Sequence, residues 1–262
     1  MPTPRDRRLA INDSHLAAWR ERDPVAAAFY DSLSALFPQG ERFFMDSVRR
    51  YRDGVDAGLA EAIRQFIAQE ALHTREYLAF NNQVRAAGGD VARLEARTKA
   101  QLDAVRRRDG LVQLAATVSL EHFTAVLAHH LIACPEHLAE APAETRALWL
   151  WHAGEEIEHK AVAFDVLAHA TAHWSGARRW TFRARIYLEV LVRLFRVVIP
   201  NHLDLRRQYG PVRAPRLELA RYLLSRPGLL GRMAPDLARY LAPGFHPWAV
   251  DDAGLAAEAL AA

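Results

Sequence analysis

Two segments of the sequence carry a glutamate and a histidine three positions apart, Glu70-Ala-Leu-His73 and Glu156-Ile-Glu-His159. A helix turns roughly 100° per residue, so each pair lies on one face and can aim a carboxylate and an imidazole at the same point. Each pair follows a segment with a single glutamate set among apolar residues. Glu41 stands just before Arg42-Phe43-Phe44-Met45, and Glu121 follows Ala115-Ala-Thr-Val-Ser-Leu120. The order Glu, Glu-x-x-His, Glu, Glu-x-x-His supplies the donor set that holds two metal ions between four helices. Four buried carboxylates carry four negative charges, which two divalent cations cancel; without metal, several would have to take up protons. Oxygen-rich ligation with imidazoles suits iron or manganese better than the sulfur-rich sites of structural zinc.

His152 extends the pattern. It lies four residues before Glu156 and seven before His159, so the three share one helical stripe and His152 becomes a third imidazole. The candidate metal ligands are therefore Glu41, Glu70, His73, Glu121, His152, Glu156 and His159. Glu155 rivals Glu156, because it also falls within one turn of His159; Glu156 is preferred because it repeats the spacing of Glu70 and His73. Tyr77 and Asn81 continue the stripe beyond His73, while Thr117, Thr124 and Ala125 flank Glu121, as supports for the ligands or as walls of a substrate cavity. His122, His129 and His130 lie off the face of Glu121 and are expected to be packed or at the surface. His246, in Pro243-Gly-Phe-His-Pro247, is expected to serve a turn.

The elements that must position these residues read as helix almost throughout. Period-two alternation, β-branched runs and hairpin dipeptides are missing. Caps, glycines and prolines divide the chain into helices over 24–36, 41–53 (after a break at Phe37-Pro-Gln-Gly40), 56–86, 90–108, 111–133, 142–173 and 177–200. Shorter helices and proline turns, among them Pro211, Pro227 and Pro243, fill the remainder. The expected fold class is all-α: a ferritin-like four-helix bundle with additional N- and C-terminal helices. It forms one domain over 1–262, with its core at about 38–173 and a helical extension at about 177–250.

Composition narrows the function classes. The 262 residues are 51% hydrophobic and 25% charged, which excludes a disordered or fibrous chain. A single cysteine, Cys134, excludes an internal disulfide and a cysteine-rich zinc site. The net charge of +3 makes no case for nucleic acid as a partner. Residues 1–8 are polar and basic, and no apolar signal region follows them. The longest apolar stretch contains Glu121, His122, His129 and His130, so it reads as a core helix rather than a membrane span. A soluble, cytoplasmic chain is expected. The 177–199 helix mixes Arg178, Arg179, Arg183, Arg185, Arg193 and Arg196 with a stripe of Phe182, Ile186, Val190, Leu194 and Val197. It is expected to pack on the bundle with its arginines in solvent or paired with acids. Its alternatives are peripheral membrane contact, which would suit an acyl or otherwise apolar substrate, and a homodimer surface.

Phe37-Pro-Gln-Gly-Glu-Arg-Phe-Phe44, Glu70-Ala-Leu-His73, Trp151-His-Ala-Gly-Glu-Glu-Ile-Glu-His-Lys160 and Tyr240-Leu-Ala-Pro-Gly-Phe-His-Pro-Trp248 resemble a bacterial family named as predicted metal-dependent hydrolases, over roughly residues 29–252. The set of three histidines and four glutamates is also similar in spacing to that of the ferritin-like arylamine N-oxygenases, a resemblance that implies iron as the metal at all seven positions. The expected function is a non-haem dinuclear iron enzyme, with two Fe ions that activate O2 as co-substrate to hydroxylate or N-oxygenate a small organic substrate. Such a reaction draws electrons from a donor protein. The alternative is a dinuclear hydrolase using Mn or Zn as readily as Fe, in which two ions about 3.5–4 Å apart activate water and clamp an ester or phosphate. A non-catalytic iron-binding protein is the third candidate.

Overall fold

Short acidic side chains start most of the long helices. Asp23, Asp56, Asp90 and Asp109 each accept a hydrogen bond from a backbone N–H two or three residues ahead, satisfying a donor that the first helical turn leaves open. The computed structural model describes residues 2–225 and 228–261. Its helices are α1 (Asp13–Arg22), α2 (Pro24–Ser34), α3 (Phe37–Arg49), α4 (Ala57–Ala86), α5 (Val91–Arg106), α6 (Gly110–Ala133), α7 (Ala143–His159), α8 (Val162–Ala170), α9 (Gly176–Gln208), α10 (Pro215–Leu224), α11 (Leu229–Arg239) and α12 (Ala253–Ala261). There is no strand among the described residues, so the all-α class expected from the sequence is the observed one. Pro227 lies outside the described residues.

Three boundaries differ from expectation. α3 begins at Phe37 instead of Glu41: Pro38 sits in the first turn, where its missing N–H costs nothing, and the Gly40 N–H bonds back to the Leu36 carbonyl. The expected helix 142–173 divides into α7 and α8 at Lys160-Ala161. No glycine or proline marks that point. Lys160 is buried there, bonding Asp252 and the Val250 carbonyl and standing over the Trp248 ring, so contacts with the C-terminal segment accompany the break. α9 runs through Pro200 to Gln208, because packing of Val198 and Leu205 holds the turns on either side of the proline.

The packing order explains how the motifs meet. α3 lies along α4 and α6 along α7; the two pairs join through α3–α6 and α4–α7, and α8 also packs on α4. Each of these four long helices bears one of the motifs. α5 fills the space between α3, α6 and α9. α1 and α2 close one end with an aromatic cluster in which Tyr30 packs on Trp19 at 6.0 Å and Trp149 at 5.0 Å. α6 is long and apolar enough to cross a membrane, but 83% of its apolar window is buried inside the protein, as expected of a core helix.

α9 turns its stripe of Ile186, Val190, Leu194 and Val197 inward, leaving Leu188 and Val192 exposed. Arg183 departs from the expected solvent-facing arginines. It is buried, donates to the carbonyls of Tyr240 and Ala242, and stacks over the Tyr240 ring at 4.6 Å, fixing the path of the 240–248 motif.

α12 crosses α7 at Gly154. A methyl group there would stand 2.6 Å from Leu260 Cγ, closer than carbon atoms approach. Gly154→Ala is therefore expected to lower stability by about 1–3 kcal/mol through overpacking. Urea unfolding checks this; an unchanged midpoint would show that α12 yields without cost.

Candidate metal centre

Helical spacing puts the seven candidate ligands on the inward faces of α3, α4, α6 and α7, and all seven are buried. Their donor atoms form three overlapping groups, each with all atoms within 4.8 Å of one another: Glu41, His73 and His152; Glu70, His73 and Glu156; and Glu70, Glu121 and His159. Between the last two groups, His159 Nε2 stands 3.4 Å from both Glu70 Oε1 and Glu156 Oε1 and 3.6 Å from Glu121 Oε2.

Many of these atoms have no partner within the protein. Both oxygens of Glu70 and of Glu121, Glu41 Oε1, Glu156 Oε2, His73 Nδ1 and both nitrogens of His159 are buried without a hydrogen bond. A folded chain rarely leaves one such group unsatisfied, because each costs about 1–3 kcal/mol, and more when charged. The carboxylate oxygens among them, with His73 Nδ1 and His159 Nε2, gather in one buried region, as a cation site requires. An oxygen-rich set of carboxylates with imidazoles fits divalent metal ions of the Mn, Fe or Zn type.

The electrostatics agree. Burial, reinforced by Glu121, Glu156 and Glu41, pushes the Glu70 carboxyl well above its ordinary range. Burial does the same to Glu41 against a hydrogen bond from Thr74, and to Glu121 with help from Glu156 and Glu41. Glu156 runs the other way: burial would raise it, but the charges of His159 and His152 hold it well below the usual value. Burial, aided by His152, drives His73 well down, so its imidazole is neutral.

Three side chains orient the centre from outside it. Glu155 accepts from His73 Nε2 at 3.0 Å, which leaves His73 Nδ1 facing Glu156 Oε1 at 4.0 Å. The rival carboxylates at 155 and 156 thus take different places, Glu155 behind the imidazole and Glu156 among the donor atoms. The Tyr77 hydroxyl bonds His152 Nδ1 at 2.6 Å, and His152 Nε2 bonds Glu156 Oε1 at 2.7 Å. Burial keeps the Tyr77 phenol protonated. Thr74 donates to Glu41 Oε2 at 2.8 Å.

Arg5 is a contributor that sequence reasoning did not find. Its backbone N–H donates to Glu155 Oε1 at 3.0 Å, and its guanidinium reaches Glu155 at 3.3 Å and both oxygens of Glu158 at 2.8 and 2.9 Å. The N-terminal segment therefore straps α7 and braces the carboxylate that orients His73. Burial still pushes the Glu155 carboxyl up to about 7. Removing the brace from His73 by Glu155→Ala is expected to weaken metal binding 10–100-fold with the donor atoms intact. Competition with a calibrated chelator measures this, and equal affinities would refute the orienting role.

Other sequence candidates lie elsewhere. Asn81 bonds Ser34 on α2, while Thr117 bonds Ser47 across the α3–α6 seam at 2.6 Å and Thr124 bonds the Glu121 carbonyl. Ala125 and His122 line a separate cavity beside Lys160 and Asp252. His122 packs against Tyr187, Tyr240 and Phe245, His129 faces Asp252, and His130 bonds Asp236. His246 serves its turn, Nδ1 accepting from the Trp248 N–H while Nε2 meets Asp165 at 3.0 Å.

No curated protein and no solved structure matches the chain, so the likeness to ferritin-like N-oxygenases remains one of spacing alone. A family description does match: predicted metal-dependent hydrolase, over residues 3–251. It overturns the O2-activating di-iron oxygenase expected from the ligand pattern and favours the hydrolytic alternative. With nearly its whole length matched and a buried cluster of metal-type donors at its centre, the chain belongs to the family of predicted metal-dependent hydrolases.

Proposed function

We propose that this chain is a dinuclear metal-dependent hydrolase acting on a small organic ester. The observation that carries the two-ion reading is the set of unpartnered buried donors, arranged in overlapping groups that share Glu70 and His73. Family membership carries the hydrolytic chemistry. Glu41, His73 and His152 would hold one ion and Glu121, Glu156 and His159 the other, with Glu70 between them in a ferritin-like arrangement of α3, α4, α6 and α7. When bound, such a pair of ions lowers the pKa of water and polarises the group it attacks.

The chain's own residues supply the rest. Glu155 keeps the His73 Nε2 proton away from the centre, and Tyr77 fixes the ring of His152. The aromatic rings of Phe66, Trp151 and Phe37, packed edge-on against His159, His73 and His152, exclude bulk water.

Metal-free protein titrated with Mn(II), Zn(II) or Fe(II) and assayed on p-nitrophenyl acetate tests the proposal. Hydrolysis should rise to a plateau at two ions per chain and vanish with chelator; a plateau at one ion, or hydrolysis that chelator leaves untouched, would count against it.

A further inference from the structure

A second feature of the fold lies against this centre. α2, α3, α5, α6 and α9 line a cleft of ≈ 100 Å³. Its wall on α6 runs from Ala116 to Leu127, eleven residues or about 16 Å at 1.5 Å per residue, so the space is a thin slot rather than a bowl. The slot is apolar along its length. Thr98 and Thr124 line it, but their hydroxyls are turned onto the Leu94 and Glu121 carbonyls of their own helices. Its charged residue is Arg193 on α9, half-buried, bonded to Gln101 across from it on α5 and to Glu189.

The slot runs beside the metal centre. Gly40 and Phe44 line it from α3, one position before and three after Glu41; Leu120 and Thr124 line it from α6, at the same offsets from Glu121. On each helix the slot-facing side is thus turned roughly 60–100° from the carboxylate. Phe37 lines the slot and packs edge-on against the His152 ring at 4.8 Å.

We propose that this slot binds the unbranched hydrocarbon chain of the substrate, an acyl ester whose carbonyl is held at the α3–α6 seam next to Glu41 and Glu121. This rests on the hydrolase reading above and names its substrate class. A sugar, nucleotide or peptide would bury many polar groups against walls whose polar side chains, Arg193 and Gln101, already bond each other, at a cost of about 1–3 kcal/mol for each group left unpaired. A methylene chain has no such groups, and each buried CH2 contributes about 0.8 kcal/mol. Hydrolysis adds water across the acyl C–O bond. The water oxygen bonds the acyl carbon, the C–O bond to the alcohol breaks, and one water proton goes to the departing alkoxide.

Binding is measured with 11-(dansylamino)undecanoate and its displacement by butanoate, octanoate and dodecanoate. Hydrolysis is measured across p-nitrophenyl esters from acetate to dodecanoate. In the unaltered protein one probe should bind per chain, and affinity and kcat/KM should both rise at least tenfold from four to twelve carbons. Ala116→Leu and Val190→Phe, which add bulk to the slot from two different helices, should each weaken dodecanoate binding at least tenfold. Both should keep the acetate rate within about twofold and the parent's metal content; a variant that misfolds will lose that content, and the chain-length series needs no variant. Equal affinity and rate at every chain length would overturn the slot while leaving the hydrolase standing. Chain binding without metal-dependent hydrolysis of any ester would uphold the slot as a chain site and overturn the hydrolase.

Discussion

Glu70→Gln should abolish binding of two metal ions per chain and, in the metal-free state, make the protein harder to unfold. The two effects have opposite signs because Glu70 is a liability without metal. Its carboxylate is wholly buried, neither oxygen has a hydrogen bond, and Glu121, Glu156 and Glu41 surround it. The amide keeps the size and cannot ionise. At pH 7 the unfolded chain ionises Glu70 while the metal-free folded chain keeps it protonated, a cost of about 1.4 kcal/mol for each pH unit above the ordinary glutamate range that the amide does not bear. With metal, the same carboxylate belongs to two of the three donor groups, so its loss affects both ions. Chelator-treated and metal-loaded forms of both proteins, compared by thermal unfolding and elemental analysis, give the answer. A Glu70→Gln protein that retains two ions, or that is less stable than its parent when metal-free, would contradict the assignment. His159→Ala should lose the ions as well but, by opening a cavity, should not gain metal-free stability.

Metal-free protein should also lose stability as pH rises from about 7 to 9, and metal should reverse that slope. Glu41, Glu70 and Glu121 have folded-state pKa values raised by burial, and Glu155 lies at about 7. Above the ordinary carboxylate range the unfolded chain has released these protons while the folded chain retains them. The folded state then binds more protons, and stability falls with rising pH. Glu156 acts in the opposite sense, but its depressed carboxyl is ionised in both states at these pH values and adds no slope. His73, His122 and His202 are lowered by burial, and they raise stability as pH rises only up to the ordinary histidine range. The window above pH 7 therefore isolates the carboxylates. Each contributes at most about 1.4 kcal/mol per pH unit while it titrates. Metal requires the ionised forms, so loading at pH 7 should release protons and affinity should rise toward pH 9. Melting curves at pH 7, 8 and 9, with proton release followed by an indicator dye, check both signs. A flat metal-free profile with no protons released on loading would count against a carboxylate centre.

What the sequence discloses, and what it withholds, divides along the range of the interactions. Glu70 with His73, and His152 with Glu156 and His159, lie within one or two turns of their own helices, so spacing alone shows their shared faces. Capping aspartates and glycines likewise mark most of the helix ends. The start of α3 was hidden because Pro38 and Gly40 signal a break as readily as a first turn. The end of α7 has no local mark at all, and the contacts that coincide with it come from Asp252 and Trp248, about ninety residues downstream. Arg5 reaches Glu155 across 150 positions, and the apolar slot draws its walls from five helices. Neither leaves a periodic trace. The chemistry was the hardest part: the same glutamates and histidines suit O2 activation and hydrolysis, and the residues by themselves favoured the wrong one.

Two metal ions held by α3, α4, α6 and α7 would serve hydrolysis without any change of oxidation state. Metal-free protein loaded with two equivalents of Zn(II), a redox-inert ion, and assayed on p-nitrophenyl esters in air and under argon should show chelator-sensitive hydrolysis at equal rates in both atmospheres. Inactive zinc protein, together with an iron-loaded form that turns over only when O2 is admitted, would contradict the hydrolase reading.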